Sequence, residues 1–321
     1  MQTEIHLKGR KVVVLGSGGT IAGTAARADD NVGYSAAQLG VAQLLAVMPA
    51  LQGAPIEAEQ VAQIDSRDMG HAVWLALAQR SVHHLARDDV AGIVVTHGTD
   101  TLEETAYFLH RVLAPTKPLV LTAAMRPATA LAADGPQNLL DAVTVARSGG
   151  CGVLVVAAGS VHGAVDVTKS HPYRVDAFGS GDAGRLGCVE EGRLTMFRRW
   201  PPGEPLRLSA LPADPAQWPR VEIVTSHAGA SGLVVRALCD AGAADGIVVA
   251  ATGNGTVHHA LLAALREAQA NGVAVLLASR CAEGRIVGTP DAGLPWVADL
   301  SPVKARIELL LRLVLPQQPA G

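Results

Sequence analysis

VAGIVVTHGTDTLEETAYFLHRV, residues 90 to 112, is the stretch that decides the fold. Its first part, Val90–Val95, is apolar on consecutive rather than alternate residues, the pattern of a strand covered on both faces. A short run of Thr, His, Gly and Asp follows, and from Thr101 the period becomes helical, with Glu104 three residues on in the spacing of a capping box. Strand, tight loop and helix make half of a βαβ unit. Similar apolar runs recur at Lys11–Leu15, Pro118–Leu121, Gly152–Ala157, Gly246–Ala250 and Val273–Leu277, each closed by Gly, Thr or Ser and followed by a helical pattern. The other helical stretches are Ala36–Val47, Gly70–Ala86, Gln137–Arg147, Val257–Ala270 and Pro302–Val314, the last opened by Ser301-Pro302 as N-cap and N1. This alternation predicts two layered α/β domains: a larger N-terminal one with a doubly wound, mostly parallel sheet, and a smaller C-terminal α/β domain.

Working outward, residues 199–220 form a non-periodic stretch with six prolines, Pro201, Pro202, Pro205, Pro212, Pro215 and Pro219. It predicts a linker at 201–219 between domains 1–200 and 220–321. The 321-residue length fits two domains, and 49% apolar with 17% charged residues excludes disorder, collagen and coiled coil. A formal charge of −3 leaves no basic field for nucleic acid or an anionic membrane, and ten aromatic residues offer few stacking platforms. A small polar metabolite is the expected ligand. Cys151, Cys188, Cys239 and Cys281 lie far apart without a CxxC pair and are read as reduced core thiols, not zinc ligands or disulfides. Neither a signal-peptide pattern nor a bilayer-length apolar run is found, so the expectation is a cytoplasmic chain, or a periplasmic one if a leader was removed.

Ligands of an open parallel sheet sit at the strand ends, where loops and helix N-termini converge. The first such loop, Gly16-Ser17-Gly18-Gly19-Thr20-Ile21, has Ile21 where a dinucleotide fingerprint needs its third glycine, and it lacks the lysine of a P-loop. What it offers is a hydroxyl, Thr20, where glycines let a ligand approach the backbone. Taken alone, it is equally a tight turn with a capping threonine. The loop Thr96–Thr101 offers a second hydroxyl and the Asp100 carboxylate beside a helix N-terminus, although Asp100 and Thr101 also serve as ordinary caps. Two adjacent strand ends with a threonine each favour chemistry over coincidence.

Only five lysines occur, Lys8, Lys11, Lys117, Lys169 and Lys304, against 21 arginines. Lys169 follows a strand and a small-residue loop, so it is either near the other strand ends or a solvated loop charge. A lysine among hydroxyls in a desolvated site serves as a base, which arginine cannot, and a threonine nucleophile needs such a partner. Eleven histidines include the pairs His83-His84 and His258-His259, but adjacent helical residues do not share a metal-binding face, so they are read as surface or packing residues. His97 is read as a structural hydrogen-bonding residue. No GxSxG elbow supports a Ser-His-Asp hydrolase.

Seven stretches, in order, resemble the bacterial L-asparaginase and glutaminase-asparaginase family, most of all its type II branch. They are GSGGTIAG (Gly16–Gly23), QVAQIDSRDM (Gln60–Met69), THGTDTLEETAYFL (Thr96–Leu109), TAAMRPATALAADGPQNLLDAV (Thr122–Val143), VTKS (Val167–Ser170), GNGT (Gly253–Thr256) and SPVKAR (Ser301–Arg306). The resemblance spans nearly the whole chain. It implies hydrolysis of the asparagine side-chain amide through an acyl-threonine ester, without metal or organic cofactor. Thr20 resembles the nucleophile and Tyr34 its hydroxyl partner. Thr99, Asp100 and Lys169 resemble the second hydroxyl, carboxylate and lysine set. Ser66 resembles the binder of the α-carboxylate, with Asp100 also taking the α-ammonium. Gly19, Arg67, Gly98 and Thr256 join the substrate-binding set, and Ala124 matches the residue whose backbone carbonyl accepts from the departing amide. Backbone N–H groups near Thr20 and Thr99 would hold the oxyanion, a contribution of about 2.7 to 4 kcal/mol per donor. Closure of the segment Thr24–Tyr34 would exclude water.

The implied partners are a small-molecule amide and copies of the same chain: a homotetramer with active sites at a subunit interface, Thr256 reaching a neighbour's pocket. Two departures stand out. The family usually carries Gln or Glu where Arg67 stands, and its intersubunit glutamate should fall near residues 291–295, where Asp291 is the nearest carboxylate. A more positive ammonium end would weaken binding of a zwitterion, so weak glutamine turnover and loose asparagine binding are expected, unless Arg67 swings into solvent. D-asparagine stays open as a substrate. The competing readings are the amidase component of a tRNA-dependent amidotransferase, which normally bears an extra N-terminal domain not seen here, and a non-catalytic amino-acid-binding homologue.

Overall fold

A computed structural model describes residues 9–201, 203, 206, 208–290 and 292–314. Pro202, Pro205 and Asp291 lie outside the described residues, as does Lys8. The chain divides into two compact units, residues 1–208 and 209–321, the break falling inside the proline-rich stretch. Leu206 N–H donates to the Arg111 carbonyl, and within the stretch the Trp218 indole donates to the Pro212 carbonyl at 3.0 Å.

The first unit contains β1 (Lys11–Gly18), β2 (Thr24–Ala25), β3 (Tyr34–Ser35), α1 (Val41–Ala46), β4 (Ile56–Ile64), α2 (His71–Leu85), β5 (Val90–Thr96), α3 (Leu102–Leu113), β6 (Pro118–Thr122), α4 (Gly135–Ala146) and β7 (Gly152–Ala157). They are followed by β8 (Ser160–Gly163), β9 (Thr168–Lys169), β10 (Phe178–Gly179), β11 (Gly187–Glu190) and β12 (Arg193–Met196). Eight strands form one sheet in the order β12-β11-β8-β7-β6-β5-β1-β4. Pairing is parallel from β4 to β7 and antiparallel from β7 through β12. The inner parallel strands β1, β5, β6 and β7 are apolar on consecutive residues because helices cover both faces. Val94, Val120 and Val156 pack with α4, Val12 and Val14 belong to the same core with Val41 of α1, α2 lies against β4 and β5, and α3 against β6 and β7. Each fully buried Val or Leu stabilises the fold by about 1.5–3 kcal/mol.

The second unit contains β13 (Val221–Thr225), α5 (Leu233–Asp240), β14 (Gly246–Ala251), α6 (His259–Ala270), β15 (Ala274–Ser279) and α7 (Pro302–Val314). Its three strands are parallel in the order β13-β14-β15. They share a core with α5 and α6, and α7 packs against all three strands.

Several expectations need correction. The helix expected over Ala36–Val47 is confined to Val41–Ala46, because residues 37–39 give their N–H groups to Gly19 and Ala22 carbonyls instead of a helical ladder. The Thr101/Glu104 capping box does not form: the Thr101 hydroxyl donates to the Ser66 carbonyl at 2.8 Å. The buried Ser301 hydroxyl has no hydrogen-bond partner among the described residues, so Ser301 does not cap α7 through its side chain. All four cysteines are free; Cys188 is buried and Cys239 is partly buried against the second unit's core, but Cys281 is exposed, so the core-thiol reading fails there.

Strand β4 is an edge strand that the apolar-run criterion passes over, because its alternate residues face charges on α2 and the loop after it. Glu59 accepts from Arg80 and contacts His84 Nε2 at 2.7 Å, and Arg87 donates to Glu57 at 2.8 Å and Asp89 at 3.0 Å. The Arg87 guanidinium, helped by Lys11, lowers Asp89 from its usual 3.8 to about 2. Arg87 likewise lowers Glu57, and Arg80 lowers Glu59. Depressed carboxylates contribute stability that is present above their unfolded values and lost as pH falls through their folded ones. The melting temperature is therefore expected to drop between about pH 4.5 and pH 2, and Arg87→Met to flatten that drop. Equal slopes for both proteins in differential scanning calorimetry would contradict this account.

Candidate active site

Sheet register places the site. Gly16 of β1 pairs with Thr96 of β5, which pairs with Thr122 of β6. Three strands thus end in one row, and the loops 17–23, 97–101 and 123–134 leave side by side. His97 N–H donates to the Thr122 carbonyl at 2.9 Å, and the Ser17 hydroxyl to the Thr96 carbonyl at 2.8 Å. These two bonds tie adjacent loops at their roots.

The first two loops touch backbone to backbone. Gly19 has φ of 81°, and a Cβ there would lie 2.3 Å from Gly98 Cα and N. A Cβ on Gly98 would lie 2.4 Å from Ser66 Oγ. Only glycines permit this meeting of the Thr20 turn, the Thr99 turn and the single turn Ser66–Asp68. Gly19→Ala is expected to push the turns apart, lowering kcat/KM by about 10²-fold and stability by about 1–3 kcal/mol. Kinetics within about threefold of wild type would show that the approach is dispensable.

Each threonine hydroxyl has its own partner. Thr20 Oγ1 is 2.7 Å from the Tyr34 hydroxyl. Tyr34 stands on β3, paired with β2, so the segment between them is a hairpin. That hairpin is tied to the third loop by Ala128 N–H to the Gly23 carbonyl, Ala25 N–H to Thr129 Oγ1 at 2.8 Å, and Leu131 N–H to the Ala28 carbonyl. Lys169 Nζ donates to Thr99 Oγ1 at 2.9 Å and to Asp100 Oδ1 at 2.6 Å. Lys169 is carried by β9, paired with β10, and its N–H donates to Glu103 Oε2 on α3 at 3.2 Å. Its side chain is 18% exposed against 53% for Asp100. The Lys169 amino group is therefore mostly withdrawn from water while its carboxylate partner stays accessible.

Ser66 is buried, and its Oγ accepts from Asp100 N–H at 3.2 Å. Ala124 is buried beside Ile21 and Ala22, immediately after Thr20. Arg67 goes the other way: 74% exposed, its guanidinium lies 3.3 Å from Asp65 and 3.8 Å from Asp68. The side chain thus lies at the surface beside two adjacent carboxylates, the solvent-facing of the two placements expected for it. His97 is fully buried, and its Nδ1 donates to the Gly98 carbonyl at 2.7 Å. Burial lowers its pKa to about 4, so the ring is neutral.

Thr256 belongs to the second unit, in the turn after β14, where its Oγ1 lies 2.7 Å from Thr252 Oγ1. Among the described residues no three His, Cys, Asp or Glu side chains gather to hold a metal. Sequence reasoning missed Glu103, Thr129, Asp134 and Asn138, which support the site, and read Thr101 as a helix cap. The only signal was Asp134 before Gly135-Pro136, which looks like an ordinary helix start.

A fold of this topology with paired threonine turns defines a class. Residues 11–202 match the family model "Asparaginase, N-terminal" and residues 220–320 "Glutaminase/Asparaginase C-terminal domain". The chain belongs to the asparaginase family. It is 39% identical to the glutaminase-asparaginase of Pseudomonas fluorescens biotype A, covering 98% of this chain and 90% of that one. It is also 39% identical to L-asparaginase 2 of Escherichia coli K12, covering 96% and 90%. The crystal structure of a probable cytoplasmic L-asparaginase from Campylobacter jejuni superposes with a TM-score of 0.89 at 36% identity, covering 97% of each chain. No helix among the described residues is long and apolar enough to cross a membrane.

Proposed function

We propose that this enzyme hydrolyses the side-chain amide of asparagine to aspartate and ammonia, with Thr20 as nucleophile. The observation that carries this reading is the pairing of two threonine hydroxyls with separate partners, Tyr34 and Lys169, on turns in backbone contact. Thr20 Oγ1 attacks the carboxamide carbon, its proton leaving through the Tyr34 hydroxyl, and N–H groups at Thr20 and Thr99 stabilise the oxyanion. The amide nitrogen takes a proton and departs as ammonia, leaving an acyl ester on Thr20. Water, giving a proton to the Thr99–Lys169 pair, cleaves that ester to aspartate and restores the threonine.

In this reading Ser66 holds the α-carboxylate end and Asp100 the α-ammonium, while the Ala124 carbonyl accepts from the amide N–H. With the α-groups anchored, the extra methylene of glutamine displaces its carboxamide from Thr20, so glutamine is turned over weakly. Assembly as a homotetramer, with a neighbouring copy's Thr256 completing the pocket, belongs to the same reading and is read out by sedimentation velocity. The decisive experiment is a coupled ammonia assay across L-asparagine, D-asparagine and L-glutamine. Release from L-asparagine that Thr20→Ala abolishes supports the proposal, and no release from any of the three overturns it.

A further inference from the structure

The loop between β6 and α4 holds a partly buried polar device that the steps above leave unused. Asp134 occupies the N-cap position of α4, where an aspartate ordinarily accepts from the first N–H groups of its own helix. It makes no such bond. Its carboxylate turns back across the loop, Oδ2 accepting from Met125 N–H and Oδ1 from Arg126 N–H, both at 2.9 Å. Asn138, buried one turn further along α4, stands behind it. Its Nδ2 donates to the Ala123 carbonyl at 2.9 Å and to Asp134 Oδ2 at 3.3 Å, while its Oδ1 accepts from Ala158 N–H at 2.9 Å. Asn138 is thus locked from three sides, and Asp134 from behind.

Met125 N–H and the Ala124 carbonyl belong to one peptide group. In a trans peptide the two point in opposite directions, and the described chain has no cis bond. A carboxylate fixed on Met125 N–H therefore turns the Ala124 carbonyl away from Asp134. The Ala123 carbonyl, held by Asn138, fixes the peptide on the other side of Ala124. Gly135 leaves room for the approach, since a Cβ there would lie 2.9 Å from Ile21 and 3.4 Å from Ala124.

We propose that Asp134, backed by Asn138, is a positioning residue that aims the Ala124 carbonyl at the carboxamide N–H of the substrate, an inference that rests on the proposed amide hydrolysis. A carbonyl can only accept, so once aimed it favours a carboxamide over a carboxylate or an ester at the same place. That is a specificity role for a residue that touches no substrate.

The test compares L-asparagine with the β-methyl ester of L-aspartate, whose leaving group carries no N–H, on the purified full chain. In Asp134→Asn an amino group replaces one accepting oxygen and the clamp fails. The expected result is a fall in kcat/KM of about 10-fold or more for asparagine, with the ester changed by less than about threefold. Both substrates are measured on one preparation, so the ratio does not depend on the folded fraction. Asn138→Ala, which removes the backing, is expected to shift the ratio in the same direction. Parallel losses on amide and ester, or an unchanged ratio, would reduce Asp134 to a loop staple and overturn the proposal. A wild-type chain inactive on both substrates overturns the amide-hydrolysis reading itself. A wild type active on asparagine with an unshifted variant removes only the positioning role.

Discussion

Thr20→Ala is expected to lose about 10³-fold or more in kcat toward L-asparagine while keeping its fold. Among the described residues the hydroxyl makes one side-chain hydrogen bond, to Tyr34 at 2.7 Å. Losing such a bond costs about 1 kcal/mol, which for the first unit, residues 1–208, lowers the melting temperature by only about 2–4 °C. The two readouts therefore separate: chemistry collapses and stability barely moves. KM should change little, because the hydroxyl acts in the covalent step and the recognition groups Ser66 and Asp100 stay in place. Steady-state kinetics with calorimetry on the same preparation check this. Retention of more than about a tenth of kcat would remove Thr20 from the nucleophile role and turn attention to Thr99.

Lys169→Met should cost about 10²- to 10⁴-fold in kcat, the usual range for a positioned proton-transfer group. Methionine keeps the length and the packing of the stem and removes the three donors. Thr99 then loses the partner at 2.9 Å and Asp100 the partner at 2.6 Å. Because Asp100 is half exposed, water replaces that pairing, and the fold should lose less than about 1 kcal/mol. Lys169→Arg is the sharper control. Guanidinium keeps the charge but is planar, larger and permanently protonated, so activity should stay low if the amine moves protons. Near-normal kcat in the arginine variant would mean that Lys169 supplies charge alone.

How much of this was legible in the sequence differs by element. Strands β1, β5, β6, β7 and β14 announce themselves because burial on both faces demands consecutive apolar residues. Strand β4, at the sheet edge, does not: Glu57 and Glu59 face arginines, and its apolar residues alternate. Strands β8, β11 and β12 are short and antiparallel, with polar residues between, and β13 and α5 are short and partly exposed, so none passes the same criterion. Within the site, Thr20, Thr99 and Lys169 were identifiable from residue type and from resemblance to a family. Arg67 was not, because whether an arginine faces a pocket or the solvent depends on Asp65 and Asp68 around it. Asp134 was not legible at all, since nothing local says that its carboxylate reaches back nine residues to Met125.

The sequence by itself determined the layered α/β architecture and the residue types at the strand ends. Hydrophobic period and turn glycines are local properties, read without knowing what lies across the sheet. Only the tertiary structure decided which of those residues meet. The register Gly16–Thr96–Thr122, the glycine-to-glycine contact of two loops and the clamp from Asp134 to Met125 are pairings between segments far apart in the chain. Such pairings are set by the packing of whole elements around a shared core, a constraint that no window of neighbouring residues contains.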